Sequence, residues 1–285
     1  MKLCRFDDDR LGVVDGDKVR DVTGVIRKLP PVNYPLPRFD PLIARLDELR
    51  PAIEELAAAA ETRDLAAVKL LSPVANPGKL IGAPVNYREH FAEGMADARI
   101  HHHRHLAKIR EIALFLKATS SLVGAGEGVR LRHLDRRNDH EVELAVIIGR
   151  VADRLSPQTA LRHVAGYCIG LDMTTRGPED RSFRKSIDSY SVLGPWLVTP
   201  EEIANPGALD IWLEVNGARR QQANTRELLV DIPELIAWAS SFYTLHPGDV
   251  IFTGTPAGVG PVVPGDRMLA SITGIGAMEV AVRAA

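Results

Sequence analysis

Cysteine is nearly absent from this chain. Only Cys4 and Cys168 occur in 285 residues, too few and too far apart for a disulfide framework or a four-thiolate metal site. That usage suits a reducing cytoplasm. An excess of positive charge is missing as well. The 35 lysines and arginines face 37 aspartates and glutamates, a formal net charge of -2, so the basic face that nucleic-acid binding requires is not expected. No apolar run approaches the roughly 18 residues that cross a bilayer. Met1-Lys-Leu-Cys leads into charged sequence rather than a secretory leader, so no targeting segment is expected. A phosphate loop with its lysine and a dinucleotide fingerprint are both lacking. What is present is ordinary globular chemistry, 45% hydrophobic and 25% charged, enough to bury a core. The expectation is a cytoplasmic globular protein of about two domains, with a small-molecule substrate and neither a nucleic-acid nor a membrane partner.

The first thirty residues read as strands and turns, with Asp15-Gly16 as a two-residue hairpin signal. After the proline-rich stretch from Pro30 to Pro37, Asp40 to Leu71 has a helical apolar pattern. Ser72-Pro-Val-Ala-Asn-Pro-Gly is a linker by composition, which predicts a small N-terminal cap over residues 1–75 and a larger unit over 76–285. The larger unit alternates strand patterns with Gly and Pro. The clearest are Glu141 to Gly149, Val164 to Asp172, Leu209 to Gly217 and Asp249 to Gly254, with an amphipathic helix from Ile232 to Tyr243 and a final strand pair from Pro264 to Val282. The pattern predicts an α+β, β-rich fold with a closed or sandwich-like β core and helices outside.

Glu141-Val-Glu143 opens directly into Leu144-Ala-Val-Ile-Ile. Side chains alternate along a strand, so Glu141 and Glu143 share a face with Cα atoms roughly 6.5–7 Å apart. Desolvated carboxylates so placed repel and need a cation or hydrogen bonds; read alone, the pair belongs more often to a solvated edge strand. Asp172, ending another apolar strand, completes an all-oxygen set that suits Mg²⁺, Mn²⁺ or Ca²⁺ better than zinc. His90 and Glu93 share a helix face at i,i+3, where the carboxylate orients the imidazole as a general base for water; the plainer reading is a surface contact. Lys185 and Arg176 are unremarkable alone. The amides of Thr253-Gly-Thr-Pro-Ala-Gly-Val-Gly260 are able to hold a carboxylate, or the segment is simply a tight turn. His101-His-His-Arg-His105 reads as a polar loop that changes charge near pH 6.5, because it lacks separated partner ligands.

Taken in order, these motifs resemble the fumarylacetoacetate hydrolase superfamily over roughly residues 78–282. The motifs are Asn86-Tyr-x-x-His-x-x-Glu93, Phe115-Leu-Lys, Ser120-Ser121, His140-Glu-Val-Glu-Leu-Ala-Val-Ile-Ile-Gly149, Ala165-Gly-Tyr, Asp172-x-x-x-Arg176 and Lys185-Ser. They continue with Leu193-Gly-Pro-Trp, Val215-Asn-Gly, Asn224-Thr, Leu245-x-Pro-Gly-Asp-Val and Thr253-Gly-Thr-Pro-x-Gly-Val-Gly260. The resemblance implies a mixed β-roll catalytic domain in a homodimer, with the small N-terminal cap of its shorter bacterial members. It implies a Mg²⁺ or Mn²⁺ site at Glu141, Glu143 and Asp172, with Ca²⁺ as a substitute in crystals. His90 and Glu93 match a water-activating pair on a lid helix, and Lys185 matches a lysine that offsets developing negative charge. Tyr87, Arg176 and Thr255 are the expected substrate contacts. Two departures stand out: Arg176-Gly-Pro-Glu179 replaces the common Arg-Asp-x-Gln, and the histidine cluster precedes Phe115. The implied reaction is hydrolysis of a C–C bond in an acylpyruvate-like 1,3-dicarbonyl or 2-oxo acid through a chelated enolate. The alternatives are decarboxylation of an oxaloacetate-type acid and isomerisation of a 2-hydroxyhepta-2,4-diene-1,7-dioate-type acid, both at the same site. A binding protein that has lost turnover is the third.

Overall fold

The apolar run after Glu141 forms the middle of a large sheet. Val142–Ile148 is central, paired with antiparallel Val164–Asp172 and antiparallel Val250–Phe252, and is buried at every residue because both faces of the sheet are covered there. A strand packed on both faces reads as a continuous hydrophobic run. The computed structural model describes residues 1–97, 100 and 109–285, so the His101–His105 cluster lies outside the described residues. Among the described residues no helix is long and apolar enough to cross a membrane.

The main sheet is mixed and open. From one edge it runs Thr62–Asp64, Lys18–Asp21, Arg10–Asp15, Lys2–Phe6, Ser191–Val198, Val164–Asp172, Val142–Ile148, Val250–Phe252, Leu80–Gly82, Phe115–Lys117. The two ends of this order do not meet, so of the two expected forms, closed or sandwich-like, the core is not the closed one. A five-stranded sheet, in the order Ala218–Asn224, Asp210–Val215, Arg267–Ile272, Gly276–Ala284, Val129–Leu131, lies over one face. Alternation along the central strand divides the core in two. Val142, Leu144, Val146 and Ile148 join Ile211, Leu213, Met268 and Val280 of the second sheet. Ala145 and Ile147 join Ile43, Leu46, Leu49 and Ile53 on the opposite face. The last three sit on the helix Leu46–Ala59 at the spacing of a helical stripe.

That helix is shorter than its apolar pattern suggested. It ends at Ala59; Thr62–Asp64 then pairs with the strand at Lys18, and Leu70–Leu71 with Arg5–Phe6. Beyond Ala59 the apolar stripe ceases, and an available strand edge offers backbone partners that outweigh local propensity. The hairpin turn sits one residue later than expected. Asp15 pairs with Lys18, so Gly16 and Asp17 make the turn, with Gly16 at φ +60°. Hydrogen bonding also crosses residue 75. Lys2–Phe6 pairs with Ser191–Val198, and Asp40 accepts from Leu42 and Ile43 at its own helix start and from Ala75 and Asn76 in the segment that follows.

Candidate active site

The three carboxylates meet at one end of the two central strands. Val142 is registered with Leu171 and Glu143 with Gly170, and the Asp172 amide donates to the Glu141 carbonyl at 2.9 Å. Glu141 therefore faces Asp172 across the strand pair, while Glu143 lies two residues along on the same face as Glu141. One oxygen from each lies within 4.8 Å of the others, and all three residues are buried. A solvated edge strand is excluded, because this strand is central.

Buried carboxylates need compensation, and this cluster is compensated unevenly. Lys185 Nζ donates to Glu141 Oε2 and Asp172 Oδ2, both at 2.6 Å. Lys117, at the end of the edge strand, donates to Asp172 Oδ1 and, at 2.9 Å, to the Tyr190 carbonyl. Arg176 donates to Glu141 Oε1 at 2.9 Å and to Asp139 Oδ2 at 2.8 Å. Burial pushes the Glu141 carboxyl up, but Lys185 and Arg176 more than offset this and hold it well below the usual range. Glu143 has one hydrogen bond among the described residues, from the Gly254 amide at 2.6 Å, and no cation paired with it. Burial, and then the charge of Asp172, push its carboxyl well above the usual range.

This pattern fits a hard divalent cation. The donor set is all carboxylate oxygen, and one of its charges is buried with a single amide for company. A cation held by the three carboxylates supplies what Glu143 lacks.

The glycine-rich loop holds carboxylates with its amides, as its composition suggested, but the carboxylates are the protein's own. Gly254 serves Glu143, and the Gly258 amide donates to Glu93 Oε1 at 2.9 Å. Both glycines have φ near +100° (+103° and +96°), and a Cβ on Gly258 would lie 1.9 Å from the Arg220 carbonyl oxygen. Glu93 is thereby pinned, and its Oε2 lies 2.9 Å from His90 Nδ1. Both residues stand on the helix Arg88–Ala96. A carboxylate at Nδ1 places the proton there and leaves Nε2 as the basic atom. Fully buried Asn86 sets the helix start: its amide donates to the carbonyls of Val230 and Thr253, and its oxygen accepts from the Val230 amide. Just before it, Val85 has φ +51°, strained for a β-branched residue, in the wall of the site.

One narrow cavity collects the carboxylate triad, His90, Lys185, Arg176 and Thr255. Of the expected site residues, Glu93 and Tyr87 lie outside its lining. The Tyr87 hydroxyl is buried without a partner among the described residues, and burial, with Glu143 nearby, pushes it up from the usual tyrosine value. Thr255 lines the cavity, yet its hydroxyl donates to the Val142 carbonyl and accepts from Gln221, both at 2.8 Å. Residue reading missed Lys117, Asp139, Arg181 and Arg184. Lys117 carried one signal, a lone cation ending a short apolar strand.

Comparison with known proteins gives the family. The family pattern described as Fumarylacetoacetate (FAA) hydrolase C-terminal matches residues 79–283. The chain belongs to the fumarylacetoacetate hydrolase family. A maleylpyruvate hydrolase of Aquipseudomonas alcaligenes is 59% identical over 285 residues, covering 99% of each chain. A crystal structure of the maleylpyruvate hydrolase from Sphingobium sp. SYK-6, in complex with manganese (II) ion and pyruvate, superposes with a TM-score of 0.85 at 41% identity, covering 100% of this chain and 99% of that one. A 5-carboxymethyl-2-hydroxymuconate delta-isomerase from Mycobacterium smegmatis gives 0.72 at 28% identity, covering all of both chains. The mixed, strand-rich α+β fold expected for this family is the fold observed.

Proposed function

We propose that this chain is a metal-dependent acylpyruvate hydrolase that splits maleylpyruvate, or a close analogue, into pyruvate and a carboxylic acid. The observation that carries the reading is the His90–Glu93 pair beside a buried three-carboxylate set in one cavity. The 59% identical maleylpyruvate hydrolase supports it over the full chain. Glu141, Glu143 and Asp172 would hold Mg²⁺ or Mn²⁺. When bound, such an ion supplies Lewis acidity for the oxygens of a 2-oxo acid.

The chain's own residues divide the remaining work. Glu93 holds the imidazole ring, so that His90 Nε2 takes a proton from water as the water oxygen attacks the acyl carbonyl carbon. The bond from that carbon to the neighbouring methylene breaks, its electron pair passes to the pyruvate enolate, and protonation of the methylene carbon completes pyruvate. Water supplies the hydroxyl of the released acid. Lys185, paired with both Glu141 and Asp172, keeps a cation beside the cavity as negative charge develops. Arg176, itself anchored on Asp139, fixes Glu141 directly, and Thr255 fixes the strand below.

Isomerisation at the same site is the weaker reading: the isomerase neighbour is more distant, and a water-activating pair has no task in moving a double bond. Cytoplasmic location fits the two buried free thiols, and a homodimer and a 1–75 cap are part of the proposal. The test is release of pyruvate from maleylpyruvate by Mn²⁺-loaded protein, followed with a coupled lactate dehydrogenase assay. Stoichiometric pyruvate that a chelator abolishes is expected; substrate consumed without pyruvate contradicts the reading.

A further inference from the structure

Arg181 and Lys185 are the first and last residues of a five-residue helix, one turn apart. Both reach the Phe115 ring, each with its cationic centre 5.6 Å from the ring centroid. The two charges are separated by at most twice that distance, and both line the cavity that holds the carboxylate triad.

Their company differs. Lys185 is bound to two carboxylates. Arg184 donates to the Glu179 and Thr175 carbonyls at 2.9 and 3.0 Å, and Arg176 to Asp139 and Glu141. Arg181 has no carboxylate or carbonyl acceptor among the described residues, only the Phe115 ring. Its acidic neighbours in sequence are engaged elsewhere. Asp180 caps its own helix by accepting from the Ser182 amide at 2.8 Å. Glu179 is held by Arg136 through both oxygens, at 3.1 and 2.7 Å.

The sequence departure after Arg176 makes this possible. A Cβ at Gly177 would lie 1.5 Å from Arg136 Nη2, so glycine there lets Arg136 reach Glu179 and draw it away from Arg181. What remains is a half-buried guanidinium facing the cavity with no acceptor for its N–H donors among the described residues, and such a group calls for an anion.

We infer that Arg181 is the specificity residue of this site, receiving through paired N–H donors a carboxylate at the acyl end of a dicarboxylic acylpyruvate, opposite the 2-oxo acid. The planar fork suits a carboxylate bidentately, and a substrate without that charge leaves the donors unpaired. The inference rests on the hydrolase reading and adds the substrate class. Maleylpyruvate belongs to that class; acetylpyruvate, with the same 2-oxo acid end and an uncharged acyl end, does not.

Arg181→Met keeps an apolar stem against Phe115 and removes the fork. The ratio of kcat/KM for maleylpyruvate over acetylpyruvate is expected to fall roughly 10- to 100-fold, and Arg181→Lys to recover part of it through KM. An unchanged ratio, including an equal loss on both substrates, overturns the assignment. Calorimetry on the Mn²⁺-loaded protein supplies a second reading: Arg181→Met weakens maleate about tenfold relative to pyruvate. A maleate-to-pyruvate affinity ratio equal to wild type overturns the assignment too. Should the wild type release pyruvate from neither acylpyruvate, the hydrolase reading falls, and the maleate-to-pyruvate ratio still decides Arg181.

Discussion

The floor of the cavity and the helix above it are built on opposite terms. The floor is two fully buried central strands, and its acids Glu141 and Asp172 are locked to Lys185, Lys117 and Arg176. The helix Arg88–Ala96 buries only His90 and Gly94 and is tied down by Asn86 before it and by one amide bond from Gly258 to Glu93. A cluster of like charges needs a rigid low-dielectric frame to hold it together. A proton-transfer pair needs only its own geometry. The difference separates ion holding from water activation, so substitutions on one side should leave the other measurable.

His90→Ala tests that separation most severely. Its kcat for acylpyruvate hydrolysis should fall about 10²- to 10⁴-fold, while Mn²⁺ affinity by calorimetry stays within about threefold of wild type. A matching loss of Mn²⁺ affinity would merge the two regions into one. Lys185→Met should behave in the opposite way. It leaves Glu141 and Asp172 buried without their shared cation, and urea unfolding of the metal-free protein should show a loss of about 3–5 kcal/mol. A loss no larger than that of His90→Ala would mean that the floor is not a tighter structure than the helix. Gly258→Ala sharpens the comparison with a smaller change. Its φ of +96° and the Arg220 carbonyl leave no room for a Cβ, so the amide that holds Glu93 must move. An about tenfold fall in kcat with unchanged Mn²⁺ affinity is expected.

How much of this was legible beforehand follows from the range of each interaction. The i,i+3 pairing of His90 with Glu93 is local, and helical spacing was enough to join them. The shared face of Glu141 and Glu143 followed from strand alternation. That Asp172 stands opposite Glu141 depends on the register between two strands, which neither strand encodes by itself. Lys117 reaches Asp172 from a strand at the sheet edge, and Arg176 reaches both Glu141 and Asp139; these contacts are products of topology. Residues 62–71 kept a helix-like composition after the stripe ended at Ala59, and pairing to a distant hairpin settled their form. The glycine loop shows the same limit: its amides were readable as carboxylate donors, but their partners Glu143 and Glu93 were not.

Titrating Mn²⁺ calorimetrically into metal-free wild type and into Glu143→Gln reads the floor most directly. One ion per chain is expected to bind the wild type, and the variant should bind it about 100-fold or more weakly while unfolding at no lower urea concentration, since the buried carboxylate it removes has, among the described residues, only the Gly254 amide as partner. Equal affinity and stoichiometry in the two proteins would contradict the placement of a divalent ion among Glu141, Glu143 and Asp172.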